Sequence, residues 1–300
     1  MKTLWSFEKA FNRNFGLLNA NEQATLSTSL VVIPGCGGIG STVAETLARL
    51  GIGRFRLCDL DTYDVANFNR QLGATLESVG KNKAEATKER ILSINPNAQV
   101  EIFPELISPE NAADFVSGSQ AVLDGIDFFA ISARRSLFKA AREAGIPAMT
   151  AAPLGFSATL QIYLPDRGLN FDQFFNFKPE DSYADQITKF LVGLAPVGLH
   201  RDYMDMSVFD PIEQTGPSSI IGTQLAASLI AGELVRLLLN RGASLPAPWY
   251  RQFDAYKQQW VRKQLIMGNA HPKQLLKIHL AKRSFKKTGV WEAFSHNAMA

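Results

Sequence analysis

The sequence has little of what a cross-linked or membrane-embedded protein requires. Its 300 residues include only two cysteines, Cys36 and Cys58, too few for a disulfide framework or a four-cysteine zinc site. No apolar run approaches the roughly 20 residues of a membrane span, and the first residues are polar where a signal peptide keeps an apolar segment. We therefore expect a soluble, cytoplasmic chain without structural zinc and without membrane contact. Cys36 and Cys58 are interpreted as small, buried packing residues.

Positive and negative charges nearly balance over the whole chain, but the positive charges are concentrated near its end. The net charge is +3 at pH 7, and 46% of the residues are hydrophobic, which is enough for a core without metal or disulfide support. The last fifth of the chain is basic, with few acids. Its cations are Lys257, Arg262, Lys263, Lys273, Lys277, Lys282, Arg283, Lys286 and Lys287. Such clustering suits a polyanion such as a nucleic acid, and a solvated extension has the same composition.

Strand and helix patterns alternate through the first half of the chain. The apolar run at residues 30–33 is typical of a buried parallel strand, and helical and strand segments then follow in turn. After Pro153 the pattern changes to an antiparallel strand at 159–164, then loops, then an apolar helix over 216–239. We predict a Rossmann-like, doubly wound and mostly parallel α/β sheet with a C-terminal antiparallel extension. The apolar helix is interpreted as core, as a dimer interface, or as both.

A glycine-rich motif directly follows the first strand. Gly35, Gly37 and Gly40 match G-x-G-x-x-G at the start of a helix, and Asp59 follows at the end of the next strand. Glycines let a backbone approach phosphates, a helix N-terminus attracts anions, and the acid can accept hydrogen bonds from ribose hydroxyls. This context predicts a nucleotide site but does not identify the nucleotide. The simpler interpretation is that the glycines serve only close packing of helix on strand.

Two cations soon after that acid favour a triphosphate over a dinucleotide. Arg70 and Lys83 have no evident use in a dehydrogenase, whereas the tail of ATP needs cations to hold and neutralise it. Either residue alone could be a solvated surface cation, and an NAD-binding Rossmann module stays open as an alternative. The combination of glycine loop, acid and cations nevertheless points to ATP.

These motifs resemble those of the ThiF/MoeB/HesA family of adenylating enzymes. The resemblance is carried by D-x-D-x(5)-N-x-N-R-Q over residues 59–71, by Lys83, and by D-x-x-D over residues 124–127. It covers residues 10–155 and again 216–240. It implies an ATP-dependent adenylyltransferase, an enzyme that joins a carboxylate to AMP and releases pyrophosphate.

The resemblance also implies a role for each matching position. The implied ATP-binding residues are Gly35, Gly37, Gly38, Gly40, Asp59, Asp61, Asn67, Arg70 and Lys83. Asp127 is implied to organise Mg²⁺, and Arg13 to reach across a homodimer into the partner's site. With Arg70 and Lys83, these two residues form the candidate catalytic set. Taken alone, Asp127 could cap the following helix, and Arg13 could be a surface cation.

The chain divides into four parts on this interpretation. They are a helical arm (1–29), a Rossmann-like ATP-binding adenylation core (30–155), the acyl-acceptor loops and closing helix of the same domain (156–254) and a basic tail (255–300). We expect residues 152–158 and 171–177 to shape the site that receives the acyl group.

The sequence departs from the family pattern in ways that bear on function. Phe128 follows Asp127 where many relatives have Asn, and no cysteine lies beyond Cys58, where many relatives carry a nucleophilic thiol. Other nucleophiles are far weaker at neutral pH. We therefore expect adenylation without covalent transfer to this chain, acting on the C-terminal glycine of a ubiquitin-like or sulfur-carrier protein. The alternative is an enzyme similar to the tRNA N6-threonylcarbamoyladenosine dehydratases, which adenylate without a catalytic cysteine.

Overall fold

A single mixed sheet organises the molecule. The computed structural model describes residues 5–205, 208–210, 213 and 215–297, and within them nine strands join in one sheet. The strands are β1 (Leu30–Pro34), β2 (Arg54–Cys58), β3 (Gln99–Ile102), β4 (Ala121–Asp124), β5 (Ala148–Thr150), β6 (Pro153–Leu154), β7 (Ser157–Tyr163), β8 (Trp249–Asp254) and β9 (Gln259–Gln264). Their spatial order is β3-β2-β1-β4-β5-β7-β8-β9, and β6 pairs with β7.

Helices cover both faces of this sheet. They are α1 (Phe7–Ala10), α2 (Ala20–Thr28), α3 (Gly38–Arg49), α4 (Lys83–Ile94), α5 (Ala112–Val116), α6 (Ile131–Glu143), α7 (Phe171–Phe175), α8 (Tyr183–Leu194), α9 (Ile220–Leu238), α10 (Pro272–Thr288) and α11 (Val290–Asn297). Neighbouring residues of β1 belong to different hydrophobic cores. Val31 and Ile33 pack in the core that contains α3 and α9, and Val32 packs in the core that contains α5 and α6. This two-sided burial explains the unbroken apolar run in the sequence.

The direction of strand pairing changes at β5. Strands β1 to β5 pair in parallel, whereas β5–β7, β7–β8 and β8–β9 pair in antiparallel. The carboxyl ends of β1, β2 and β4 therefore lie at one edge of the sheet, and the glycine loop, Asp59 and the loop over 124–127 come together there. The predicted fold class, a parallel α/β sheet with a C-terminal antiparallel extension, is confirmed.

Helix α9 is the long apolar helix predicted after residue 216. It begins at Ile220 because Ser219 caps it, accepting a hydrogen bond from the backbone N–H of Gly222. By length and composition alone, α9 could cross a membrane. We had expected no segment of this kind from the sequence. In this structure it packs against α3 and β7, and 44% of its most apolar window is buried.

The C-terminal residues form defined elements that pack on the body of the protein. Helix α10 packs against α8. Just before α10, the fully buried Asn269 donates hydrogen bonds to the carbonyls of Lys189 (2.7 Å) and Phe175 (3.2 Å). Within α10, Lys282 forms an ion pair with Asp185 of α8. These contacts hold α8 in place, while the division of the chain into four parts stays a prediction.

Candidate functional site

One large cavity lies at the edge of the sheet where β1, β2 and β4 end. Its volume is about 780 Å³. Eight of the predicted site residues line it: Gly35, Gly37, Gly38, Asp59, Asp61, Arg70, Lys83 and Asp127. The fold therefore brings the glycine loop, the acid after β2, both cations and the acid after β4 to one place, although they are separated by up to about ninety residues in the sequence.

Close backbone contacts shape the glycine loop. Gly35 has a φ of +84°, and a Cβ there would lie 2.2 Å from the carbonyl oxygen of Gly125, so the position requires glycine. Gly40 does not line the cavity, and a Cβ on it would lie 1.7 Å from the carbonyl oxygen of Gly35. Gly37 is the N-cap of α3, which places the unpaired N–H groups of the first helical turn at the cavity.

Two acids and a lysine follow the glycine loop around the cavity. Asp59 accepts hydrogen bonds from the backbone N–H groups of Cys36 (2.6 Å) and Asp61 (2.9 Å), and burial raises the pKa of its carboxyl group. The Nζ of Lys83 lies 3.0 Å from Oδ2 of Asp61. The Lys83 side chain is 9% exposed and that of Asp61 is 75% exposed. A bound phosphate could therefore replace this solvated acid as the partner of Lys83.

Arg70 lies on the loop after β2. Its Nη1 donates hydrogen bonds to the carbonyl of Ala66 (2.7 Å) and to Oδ1 of Asn69 (3.0 Å). Asn67, by contrast, does not line the cavity. Its side-chain oxygen accepts a hydrogen bond from the backbone N–H of Asp64 (3.0 Å) and closes a short 3₁₀ turn. Asn67 thus shapes the loop that carries Arg70.

Asp127 is exposed at the cavity. Its Oδ1 accepts a hydrogen bond from the backbone N–H of Phe129 (2.9 Å). The N-cap of the following helix, α6, is Ala130, so Asp127 does not cap that helix and the simpler interpretation of this acid fails. Arg13 lies elsewhere: it is exposed in a 3₁₀ turn near the N-terminus and does not line the cavity of its own chain.

Aromatic side chains line another part of the cavity and were not predicted from the sequence. Phe128, Phe129, Phe190 and Phe209 form an aromatic wall. Their ring centroids lie 5.1 Å apart for Phe128 and Phe129, 5.4 Å for Phe128 and Phe190, and 5.9 Å for Phe129 and Phe209. Phe190 comes from α8, which therefore covers the cavity. The Ser-Tyr-Ala-Asp stretch that caps α8 at Ser182 is a helix-start signal that could have revealed this helix.

The two segments predicted to shape the acyl site differ in outcome. Ala152, Pro153 and Leu154 line the cavity. The segment 171–177 does not, because α7 is buried one layer behind, where Phe175 packs on Phe190 with ring centroids 5.0 Å apart. This segment therefore supports a wall of the cavity without lining it, and its part in shaping the acyl site stays a prediction.

Three buried polar residues at the cavity were also missed as site residues. Arg134 and Asp124 form an ion pair of 2.7 Å in which both side chains are at most 4% exposed. Gln71 is 8% exposed, and its Oε1 has no hydrogen-bond partner among the described residues. Gln71 belongs to the motif that ends in Arg-Gln, so its spacing was the available signal. Arg134 has no such signal, because its partners come from a different segment.

Both cysteines are buried, as predicted. Cys36 lies within a hydrophobic core, and burial raises the pKa of its thiol far above its ordinary value. Cys58 lines the cavity, but its Sγ donates a hydrogen bond to the carbonyl of Glu105 (3.0 Å), and burial raises its pKa to about 12. Neither thiol is a ready nucleophile, because the reactive species is the thiolate.

Two curated relatives show what this chain is similar to in sequence. The chain is 40% identical over 128 residues to the tRNA threonylcarbamoyladenosine dehydratase of Haemophilus influenzae, which covers 42% of this chain and 49% of that protein. It is 29% identical over 234 residues to the probable adenylyltransferase/sulfurtransferase MoeZ of Mycobacterium tuberculosis, which covers 76% of this chain and 52% of that protein. The chain thus spans about half the length of these curated relatives.

The fold has solved counterparts. The structure of Escherichia coli MccB with ATP superposes with a TM-score of 0.64 at 22% identity, over 86% of this chain and 71% of that one. At this identity the likeness shows the fold alone. A model of the ThiF family, however, matches residues 11–276, a range that contains every residue lining the cavity. This chain therefore belongs to the ThiF family.

Proposed function

We propose that this chain is an ATP-dependent adenylyltransferase that activates a carboxylate as an acyl-adenylate and releases pyrophosphate. The observation that supports the proposal best is the convergence, in one cavity, of a helix N-terminus, two cations and an exposed acid. The simpler alternative, an NAD-binding module, leaves Arg70 and Lys83 without a role.

The reaction places specific demands on these residues. A carboxylate oxygen attacks the α-phosphorus of ATP, and a new P–O bond forms. The bond from the α-phosphorus to the bridging oxygen breaks, and pyrophosphate leaves with the electron pair. Negative charge grows on the leaving oxygens, where Arg70, Lys83 and the first turn of α3 would counter it. Asp59, held beside the glycine loop by two backbone N–H groups, would accept hydrogen bonds from the ribose.

The carboxylate of Asp127 is suited to be one ligand of a Mg²⁺ ion. Its Oδ1 accepts a hydrogen bond from the N–H of Phe129, and its exposed side chain lines the cavity. Mg²⁺ is usually held by one or two carboxylates together with phosphates and waters, and among the described residues no group of three metal-binding side chains could hold an ion alone. When bound with ATP, the ion would neutralise charge on the phosphates.

The activated carboxylate belongs, on this proposal, to the C-terminal glycine of a ubiquitin-like or sulfur-carrier protein. The similarity to MoeZ, which extends over three quarters of this chain, supports this choice. Because both thiols are buried and protonated, the acyl group would not pass to a cysteine of this chain. It would pass to an acceptor that enters the cavity from outside.

A second candidate function is modification of tRNA. This function is favoured by the higher sequence identity to the Haemophilus dehydratase, which is 40% over 128 residues, against 29% over 234 residues for MoeZ. Nine cations follow residue 255. Lys257 and Lys282 are paired with Asp202 and Asp185, and the cluster that remains also suits a polyanion. In this case the carboxylate would belong to a modified nucleoside.

The proposed active form is a homodimer. Arg13 is exposed and lies outside the cavity of its own chain, so a role in catalysis requires a second chain to bring it there. On helix α9, Ile221 is 44% exposed and Leu225 and Leu229 are partly buried, and these apolar side chains could contribute to such an interface.

Isotope exchange between pyrophosphate and ATP tests the function. We expect exchange that depends on Mg²⁺ and on either a carrier protein ending in glycine or unfractionated tRNA, and the partner that supports exchange decides between the two candidates. Arg70→Ala should abolish exchange, and Arg54→Ala, an exposed arginine outside the cavity, should not change it. Tighter binding of NAD than of ATP with Mg²⁺, unaffected by Arg70→Ala, would refute the proposal.

A further inference from the structure

We propose that Arg134 is the residue that positions Asp127 in the candidate site. The inference rests on the proposed function, in which Asp127 organises Mg²⁺ beside the phosphates of ATP. It concerns a residue that no sequence motif singles out, and it assigns to that residue an effect on the metal rather than on the nucleotide.

The guanidinium of Arg134 is enclosed by the loop that carries Asp127. Its Nε donates to Oδ2 of Asp124 at 2.7 Å. Its Nη atoms donate to the carbonyls of Ile126 (2.5 Å), Asp127 (3.1 Å) and Phe128 (3.5 Å). Three successive carbonyl oxygens therefore approach one cation. The loop is wrapped around the guanidinium, and the Asp127 side chain is left exposed at the cavity.

The chemistry of this cluster favours a positioning role over a purely stabilising one. The side chains of Arg134 and Asp124 are 4% and 1% exposed, and a buried ion pair is weak as a source of stability because desolvation offsets the attraction. Replacing a buried ion pair by apolar residues is often neutral or stabilising, so a gain in stability does not by itself explain this pair. Only arginine, however, offers five N–H donors in one rigid plane, and here that plane binds a carboxylate and several loop carbonyls together.

Arg134 also ties this loop to the helix that covers the cavity. Its Cζ lies 4.7 Å from the ring centroid of Phe190 on α8. Phe128, the neighbour of Asp127, lies 5.4 Å from the same ring. One aromatic ring thus contacts both the cation and the loop, so the orientation of Asp127 is fixed from two sides.

The test is the Mg²⁺ dependence of ATP binding, measured by calorimetry with and without the ion. Arg134→Lys keeps a positive charge opposite Asp124, but one ammonium cannot reach the same set of carbonyls. We expect Arg134→Lys and Asp127→Asn to lose most of the tightening that Mg²⁺ produces in the wild type, at least about tenfold in Kd. Without Mg²⁺, the Kd of Arg134→Lys for ATP should stay within about twofold of wild type.

Arg135→Lys is the matched control. Arg135 is the next residue of α6, does not line the cavity, and pairs with Asp172 at 2.6 Å, so its variant should keep the full Mg²⁺ effect. If Asp127→Asn abolishes the effect of Mg²⁺ on ATP binding but Arg134→Lys does not, the inference about Arg134 is overturned and the proposed function stands. Loss of Mg²⁺-free binding in Arg134→Lys would show a merely structural residue and also overturn it. If the wild type binds ATP with the same Kd with and without Mg²⁺, the proposed role of Asp127 is also contradicted.

Discussion

Among single residues, Lys83 has an environment that supports the proposed binding of an anion in the cavity. Its ammonium is largely removed from water, yet its carboxylate partner Asp61 is mostly exposed. A charge in such a position is costly unless it is well paired, and a solvated partner screens it only in part. Phosphate oxygens arriving over the glycine loop would complete the pairing, because charge-assisted hydrogen bonds of this kind are among the strongest in proteins.

Lys83→Gln should therefore weaken ATP binding. The loss of a hydrogen bond between charged groups costs about 1.5–3 kcal/mol, so the Kd for ATP measured by calorimetry should rise by about tenfold or more. Lys81→Gln is the control, since this exposed lysine, two residues before Lys83, lies 3.5 Å from Glu89 and does not line the cavity. Equal effects of the two substitutions would contradict the assignment.

The candidate site was predictable from sequence wherever neighbouring residues carry the signal. The glycines, Asp59, Arg70 and Lys83 occur in motifs with fixed spacing, and the fold that gathers them is the one that the motifs indicate. Arg134 was not predictable, because apart from Asp124 its partners are the backbone carbonyls of residues 126–128, which every residue type carries.

At the scale of whole elements, the pattern of apolar residues predicts some helices and strands and fails to predict others. Strand β1 is buried on both faces and shows an unbroken apolar run, so it was predictable. Strand β9 is almost entirely exposed and has no alternation of apolar and polar side chains to reveal it. Lys273, Arg283, Lys286 and Lys287 of α10 are exposed, whereas its docking on α8 uses the ion pair of Lys282 with Asp185 and the buried Gln274 and Ile278.

Helix α9 offers a stability prediction. Gly232 lies in the interior of α9 and is exposed, and a Cβ added to it would meet no atom within 4 Å. Gly232→Ala should raise the free energy of unfolding by about 0.5–1 kcal/mol, measured by urea denaturation. Gly193→Ala in α8 should lower it, because the added Cβ would lie 2.6 Å from the Phe175 ring. A destabilised Gly232→Ala would indicate that this face of α9 packs against another surface.

For the molecule as a whole, folding stability should depend on pH through one buried histidine. Burial, and then the charge of Arg201, lowers the pKa of His200 from 6.5 to about 4. Unfolding restores the ordinary pKa, so the unfolded chain takes up a proton that the folded one does not. Stability is therefore lost as pH falls from about 6.5 to about 4, by up to about 3 kcal/mol.

Urea unfolding at neutral and acidic pH measures this dependence. His200→Gln should flatten it, since the variant has no proton to gain at this position. His279→Gln, at an exposed position of α10, should leave the wild-type dependence intact. An unchanged pH dependence in His200→Gln would show that other groups control acid unfolding.

The proposed homodimer can be tested by complementation between two inactive chains. Arg13→Ala lacks the residue that is proposed to enter the partner's cavity, and Arg70→Ala lacks a residue of its own cavity. In a mixed dimer one cavity keeps Arg70 and receives Arg13 from the other chain. With random exchange about a quarter of all cavities would be complete, and pyrophosphate exchange should recover to about that fraction. No recovery after verified subunit exchange would place Arg13 outside the partner's site.

The burial of both thiols has a consequence for what happens after ATP is consumed. An exposed, ionised cysteine in the cavity could store the acyl group as a thioester. Cys36, however, is buried in a hydrophobic core, and Cys58, although it lines the cavity, is buried and protonated. The reactive mixed anhydride would then have to wait in the cavity for its acceptor. Its lifetime would depend on how well α8 and the aromatic wall keep water out, so that hydrolysis competes with productive transfer at every turnover.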